Sequence, residues 1–556
     1  MKLTTMNRPT SASGLTRRAA LRIAGGALAG AVFAPRFTIA ADAPANPHGV
    51  VIGEVNAAKA GHKILADGGN AVDAVVSGAL VATVSAPSSC GIGGYGGSAV
   101  FSMAGGRRIT ALDFNTTAPA AARPDMFPLD DRGVVKGRVN EHGWLASGVP
   151  GILAGLELAL KRHGTKSFRE VAAPAIELAE NGFSLAAGLA TALKNTAATL
   201  RKDAGAGRLL LKDGEAPKAG DILRNPDLGA MLKTLAQRNS VGSFYHGDIA
   251  LRIAEAFQKN GGIVTAKDLA AYRAREVEPL ELKWRGHSIR TAPLTAGGLT
   301  ILEALAALDA LDWEKLPATP SRTHARLEAL RLAWRDRLEL LGDAEKTRVP
   351  VARLLSRDYA FRVAGQAESA MKEARPLPIH IESKPFVGTI HLSAADKRGN
   401  LAALTLTHGN GFGACVAVDG LGLVLGHGMS RFEPQPGHPN APAPGKRPLH
   451  NMCPGVVLRD GRPVLAFGGT GGRRIPNAIW NVLTHFAGLD ATMEEAVAAP
   501  RLHTEGGLKL EFERPWPTAE QEYFKGIGFN VVNAASARVS AASFDPKSGD
   551  CRAVSR

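Results

Sequence analysis

The order of apolar and polar positions divides the chain into a helix-rich first part and a strand-rich last part. Residues 52–68 and 70–85 carry helical periodicity and are separated by Gly68-Gly69. The second of these is apolar nearly all round, which predicts a buried helix. Residues 98–103 and 108–114 alternate as strands about an Ala104-Gly105-Gly106 turn, amphipathic helices follow across 151–275, and helical pattern returns at 299–310 and 321–341. Pro376, Pro378 and Pro385 mark an extended connector over 372–388. Beyond it, 389–395 and 401–407 read as two strands joined by Asp396-Lys397-Arg398-Gly399-Asn400. Six prolines between Pro434 and Pro448 exclude a helix there. Strands at 455–458 and 463–467 then lead through Gly468-Gly469-Thr470-Gly471-Gly472 into a helix from Pro476 to Phe486. Little strict strand–helix–strand alternation is present, so stacked α+β layers are expected and a doubly wound parallel sheet is not.

Composition narrows the class. The 556 residues are 45% hydrophobic and 21% charged, which excludes a disordered or collagen-like chain. The formal charge of +15 invites nucleic acid, but six basic residues (Lys2, Arg8, Arg17, Arg18, Arg22, Arg36) precede the first acid, Asp42. The rest are spread without a basic run, and aromatics are only 5%, so platforms for base stacking are few. No nucleic-acid partner is expected.

Those first basic residues read as an address. Thr16-Arg17-Arg18-Ala19-Ala20-Leu21-Arg22 has the twin-arginine pattern of a bacterial export signal, followed by an apolar Ile23–Pro35 too short to span a bilayer. Residues 1–40 are therefore expected to be removed near Ala40–Ala43, leaving a periplasmic or secreted protein with no stable membrane insertion. The four cysteines (Cys90, Cys415, Cys453, Cys551) lack metal-site spacing, and either pair in one of three ways or stay free. Gly91-Ile92-Gly93-Gly94-Tyr95-Gly96 matches G-x-G-x-x-G, but a buried helix precedes it and a strand follows, the reverse of a dinucleotide site. Close backbone packing accounts better for those glycines.

Several blocks in order resemble the γ-glutamyltranspeptidase family over about 47–553. They include Gly68-Gly69-Asn70-Ala71-Val72-Asp73-Ala74, Gly91–Gly97, Leu112-Asp113-Phe114, Gly148-Val149-Pro150-Gly151, Asp336-Arg337 with Leu341-Gly342-Asp343, and Thr389-Ile390-His391-Leu392-Ser393. The last is similar to the family's Thr-Thr-His-Tyr-Ser at the start of its small subunit. The resemblance implies an αββα sandwich of the N-terminal nucleophile hydrolase type, made as one chain and self-cleaved between Gly388 and Thr389. A large subunit, 41–388, and a small catalytic subunit, 389–556, would then form one intertwined fold used as a heterodimer. Freeing the Thr389 α-amine would give its weakly nucleophilic hydroxyl a base with a reference pKa of about 8. With Lys397–Asn400 as the turn, Asp396 pairs with Leu401, Ile390 faces Thr407 and Thr389 faces His408. By resemblance Thr407 orients the nucleophile, and the N–H groups of Gly471 and Gly472 act as oxyanion donors.

Substrate-contact positions depart from the family. Asn115 stands where the family has an arginine for the glutamyl α-carboxylate. Arg431 stands where it has an acid for the α-ammonium, and His450-Asn451 replace a pair of serines. Gly409 aligns with an asparagine near the acyl group, with Asn410 adjacent. An arginine at 431 repels an ammonium and attracts a carboxylate. The expectation is a threonine amidohydrolase or acyltransferase for small amides with altered acyl specificity, needing no metal or organic cofactor. The alternatives are a true γ-glutamyltransferase acting on glutathione, and a non-catalytic periplasmic binding or scaffold protein.

Overall fold

A computed structural model describes residues 47–317, 320–379, 381 and 388–556. The twin-arginine segment and Pro385 of the connector lie outside the described residues. Two six-stranded sheets organise the molecule, and their strands are numbered here in chain order. The first holds β1 (Gly49–Ile52), β2 (Gly96–Met103), β3 (Arg108–Asp113) and β4 (Arg275–Val277); the second begins with β5 (Leu280–Trp284) and β6 (His287–Thr291). The first sheet is completed by β7 (Ile390–Asp396) and β8 (Leu401–Thr407). The second takes β9 (Gly455–Arg459), β10 (Arg462–Thr470), β11 (Arg538–Phe544) and β12 (Cys551–Ser555). The spatial orders are β1-β7-β8-β2-β3-β4 and β12-β11-β10-β9-β6-β5. Every pairing in both is antiparallel.

The period-2 pattern sets the layers. In β7 and β8 the alternate residues Ala395, Leu401 and Ala403 meet Val456, Ala466 and Ala542 of the other sheet in a thin apolar interlayer. Small side chains there let the two sheets approach closely. The other face of the first sheet, with Leu392, Ala394, Leu404 and Leu406, packs under α1 (Val55–Ala66) and α2 (Ala71–Ser85). All fifteen residues of α2 are buried, as its uninterrupted apolar sequence requires. Its start is fixed by a capping box in which Asn70 accepts from the Asp73 N–H at 3.1 Å and Asp73 accepts from the Asn70 N–H at 2.9 Å. On the far side, α3 (Gly298–Ala310), α4 (Ser321–Leu340) and α5 (Arg474–Leu483) cover the second sheet. The result is an αββα sandwich.

One register differs from the sequence expectation. The turn between β7 and β8 spans Lys397–Gly399, three residues and not four, because Asp396 and Asn400 still pair. The Asp396 N–H donates to the Asn400 carbonyl at 3.1 Å and the Gly399 N–H to the Asp396 carbonyl at 2.9 Å, with Gly399 at φ +75°. Leu401 therefore pairs with Ala395 and Leu406 with Ile390. Extending that register sets Thr389 opposite Thr407, correcting the expected Thr389–His408 and Ile390–Thr407 pairs. All four cysteines are free thiols; Cys90, Cys415 and Cys453 are buried and Cys551 is half-buried. Among the described residues no helix is long and apolar enough to cross a membrane.

Candidate active site

Corrected register brings two hydroxyls together. The Thr389 hydroxyl donates to the Gly388 carbonyl at 2.5 Å and lies 3.3 Å from the Thr407 hydroxyl. Thr407 donates to the same Gly388 carbonyl and accepts from the Gly409 N–H at 2.8 Å. Thr389 is only 4% exposed. Gly388 sits at φ +139°, where a side chain would be strained, and a Cβ there would stand 3.1 Å from the Asn410 carbonyl carbon. Asn410 thus lies against the same peptide.

The glycine-rich loop before β2 packs around this pair. A Cβ on Gly91 would meet the His408 ring at 2.6 Å, and one on Gly94 the Thr407 carbonyl at 2.9 Å. Tyr95 donates its N–H to that carbonyl at 3.1 Å. These contacts are the close approaches that the loop's glycines permit.

Polar groups continue behind the pair into the interlayer. The His391 ring bridges Thr405 and Ser393, each at 2.8 Å, and Ser393 donates to the Ser540 carbonyl at 3.2 Å. Gly468 on β10 leaves room for that ring, since a Cβ would come within 2.2 Å of it. Ala466 lies with Ala395 and Gly468 against His391, so β10 advances toward the end of the sandwich where Thr389 stands. Its terminal turn carries Gly471 at φ +143° and Gly472 at φ +63°.

A second group of polar residues, Arg337, Arg431, Arg473, Ser430 and Asn451 among them, lines a cavity. Tyr95 connects the two: its ring edge lies 3.1 Å from the Cβ position of Gly409, and Arg431 and Arg337 both act on its hydroxyl electrostatically. Arg337 donates to the His450 carbonyl at 2.7 Å and to Asn451 Oδ1 at 3.3 Å. Arg473 pairs with Glu505 at 2.7 Å. Burial, with the charges of Arg431 and Arg473 added, pushes Arg337 down to about 10. Burial opposes ionisation of Glu505, but hydrogen bonds from His503 and Arg473 and their charges hold its carboxyl down to about 2.

Two of the sequence candidates sit deeper. Asn115 is fully buried and its amide donates to Thr295 at 2.8 Å and to the Pro448 carbonyl at 2.7 Å, so both N–H groups are engaged by the protein. His450 is buried beneath Arg337, and burial brings it down to about 3. The sequence reading assigned no role to Arg337, Arg473, Glu505 or Tyr95. Arg473 had a signal, because it directly follows the Gly471-Gly472 pair that the resemblance singled out. Among the described residues no three His, Cys, Asp or Glu side chains gather as a metal-ligand set.

The sandwich defines the fold class: these are the layers of the N-terminal nucleophile hydrolases. The chain belongs to the gamma-glutamyltranspeptidase family, whose profile matches residues 57–555. It is 35% identical over 472 residues to a glutathione hydrolase proenzyme of Pseudomonas sp. (strain A14), covering 82% of this chain and 81% of the relative. It is 33% identical over 506 residues to the acylase ACY 1 proenzyme of Pseudomonas sp. (strain SE83), covering 89% and 90%. The solved cephalosporin acylase of Bacillus halodurans superposes with a TM-score of 0.81 at 26% identity, covering 94% of this chain and 97% of that one. This is a family of hydrolases and acyltransferases that act on amides.

Proposed function

We propose that the protein is an exported precursor that cuts itself before Thr389 and then hydrolyses or transfers small acyl groups through that threonine. The observation that carries this reading is the double approach of Thr389 and Thr407 to the Gly388 carbonyl. In the cut, Thr389 Oγ attacks the Gly388 carbonyl carbon, the Gly388–Thr389 C–N bond breaks, the Oγ proton passes to the departing Thr389 nitrogen, and an ester replaces the amide. Thr407 donates to the carbonyl oxygen as negative charge grows there. Water then hydrolyses the ester, leaving a Gly388 carboxylate and a free Thr389 α-amine.

In turnover, that amine takes the Oγ proton as Oγ bonds to the substrate carbonyl, and passes it to the leaving amine as the C–N bond breaks. Water or an acceptor amine removes the acyl group from Oγ. Gly471 and Gly472, at the turn ending β10, supply N–H groups to the oxyanion, and Asn410 lies beside the acyl carbon. The relatives divide between glutathione hydrolases and acylases. Asn115 and Arg431, in place of an arginine and an acid, favour the acylase side and an acyl group other than glutamyl.

Denaturing electrophoresis with intact-mass measurement tests this. The purified protein should give two bands, one beginning at Thr389, and Thr389→Ala should give one uncut band. A single uncut wild-type band removes the proposal.

A further inference from the structure

The Thr407 hydroxyl stands in a chain of hydrogen bonds whose middle link is the His408–Gly409 peptide. The N–H of that peptide donates to Thr407 Oγ at 2.8 Å, and its carbonyl accepts from the His427 N–H at 3.1 Å. Thr407 in turn donates to the Gly388 carbonyl. A peptide whose oxygen accepts a hydrogen bond donates more strongly through its own N–H, because each bond polarises the next.

His427 grips the same peptide a second time, with its ring. Gly409 has φ +98°, and a Cβ there would overlap the imidazole at Nε2 and Cδ2. The opposite edge of the ring is anchored by the Gly428–Arg431 turn, which brings Ser430 back over His427. Ser430 Oγ contacts the His427 carbonyl at 2.9 Å, and a carbonyl can only accept, so the hydroxyl proton goes there. Ser430 Oγ is then left to accept from Nδ1–H at 3.1 Å. This tautomer leaves Nε2 bare. It is buried, and among the described residues it has no hydrogen-bond partner. A side chain kept only to fill space would not carry that cost, so the anchored edge matters as well as the bulk.

We propose that His427 is a positioning residue for Thr407. It holds the His408–Gly409 peptide by its own N–H and by its ring, and so keeps the peptide N–H aimed at Thr407 Oγ. This deepens the reading of Thr389 as nucleophile and rests on it. With Gly409 donating to its oxygen, Thr407 keeps its proton directed at the Gly388 carbonyl, where negative charge grows during the cut. Gly409 is required for a matching reason, since any side chain there would displace the ring.

The test times the cut itself, which is unimolecular and carries no binding step. Full-length chain is made in a short cell-free pulse, its conversion to two chains is followed by denaturing electrophoresis, and thermal midpoints are measured alongside. His427→Ala removes both edges of the ring. His427→Asn keeps an N–H for Ser430 but empties the space over Gly409, whereas His427→Gln refills that space. The Ala and Asn variants should cut roughly 10- to 100-fold more slowly, as for a catalytic group displaced by about 1 Å. His427→Gln should return to within about fivefold of wild type. Should His427→Ala fail to fold, the Asn and Gln pair decides. Equal rates for that pair, or rates that merely follow the thermal midpoints, overturn the role of His427 and leave the threonine chemistry standing. A wild-type chain that stays uncut overturns the threonine reading and this proposal with it.

Discussion

Four buried histidines lie close to the threonine pair or the arginine-lined cavity, and burial lowers each of them. His391 follows Thr389 by two residues, His408 follows Thr407, His427 packs on Gly409, and His450 lies under Arg337. Burial brings His391, His408 and His450 down to about 3, and His427 well below its usual value. In the unfolded chain each returns to about 6.5. As pH falls below about 6.5 the unfolded chain takes up protons that the folded one refuses, so stability drops; above 6.5 the contribution is fully present. The urea midpoint should therefore fall steadily from about pH 7 to pH 4.5. A flat midpoint over that window would sink the assignment of neutral histidines. At this scale the sequence was most legible where it broke a pattern: Arg431 and Asn115 drew notice as departures. Arg337 did not, because an arginine in a long helix ordinarily reads as a solvated face, and only the packing of α4 against the Pro434–Pro448 segment and its flanks buries it.

The β7–β8 hairpin shows where reading elements from sequence stops. Both strands and their alternating faces follow from period-2 pattern, yet the register depended on a turn one residue shorter than expected. Asp396 decides it. Its carboxylate accepts from the Arg398 N–H at 2.9 Å, the Asn400 N–H at 3.0 Å, the Asn400 amide at 2.8 Å and the Ala71 N–H of α2 at 3.0 Å. One buried side chain therefore sets the turn and ties it to a helix more than three hundred residues earlier in the chain, a contact no local pattern reveals. A one-residue slip would turn Thr407 away from Thr389. Asp396→Ala should cost about 3 kcal/mol or more by urea unfolding, since several charge-assisted hydrogen bonds go at once. It should also slow cutting before Thr389. Unchanged stability would show that the turn holds without its carboxylate.

At the scale of the whole molecule, the layers were legible because helix-rich and strand-rich stretches segregate, whereas the sharing of sheets was not. Each sheet takes strands from both sides of position 389: β1–β4 with β7 and β8 in one, β5 and β6 with β9–β12 in the other. Strand pairing crosses the proposed cut at β1–β7, β2–β8 and β6–β9. The two proposed pieces would thus be held by ladder hydrogen bonds as well as by packing, and neither would own a complete sheet.

That sharing has a genetic consequence. A cut made only after folding delivers both pieces in equal number and already threaded, which two separate genes would not. It also makes the order of the pieces in the gene negotiable. The outer strands β1 and β12 lie against each other, and a flexible linker that runs back along their length would join residue 556 to residue 47. A gene rearranged to begin at Thr389 and end at Gly388 should yield, once its initiator methionine is removed, an enzyme active on its amide substrate with no self-cutting at all. Should that rearranged chain fold yet stay inactive with a free Thr389 amine, the cut would have to do more than expose a terminus.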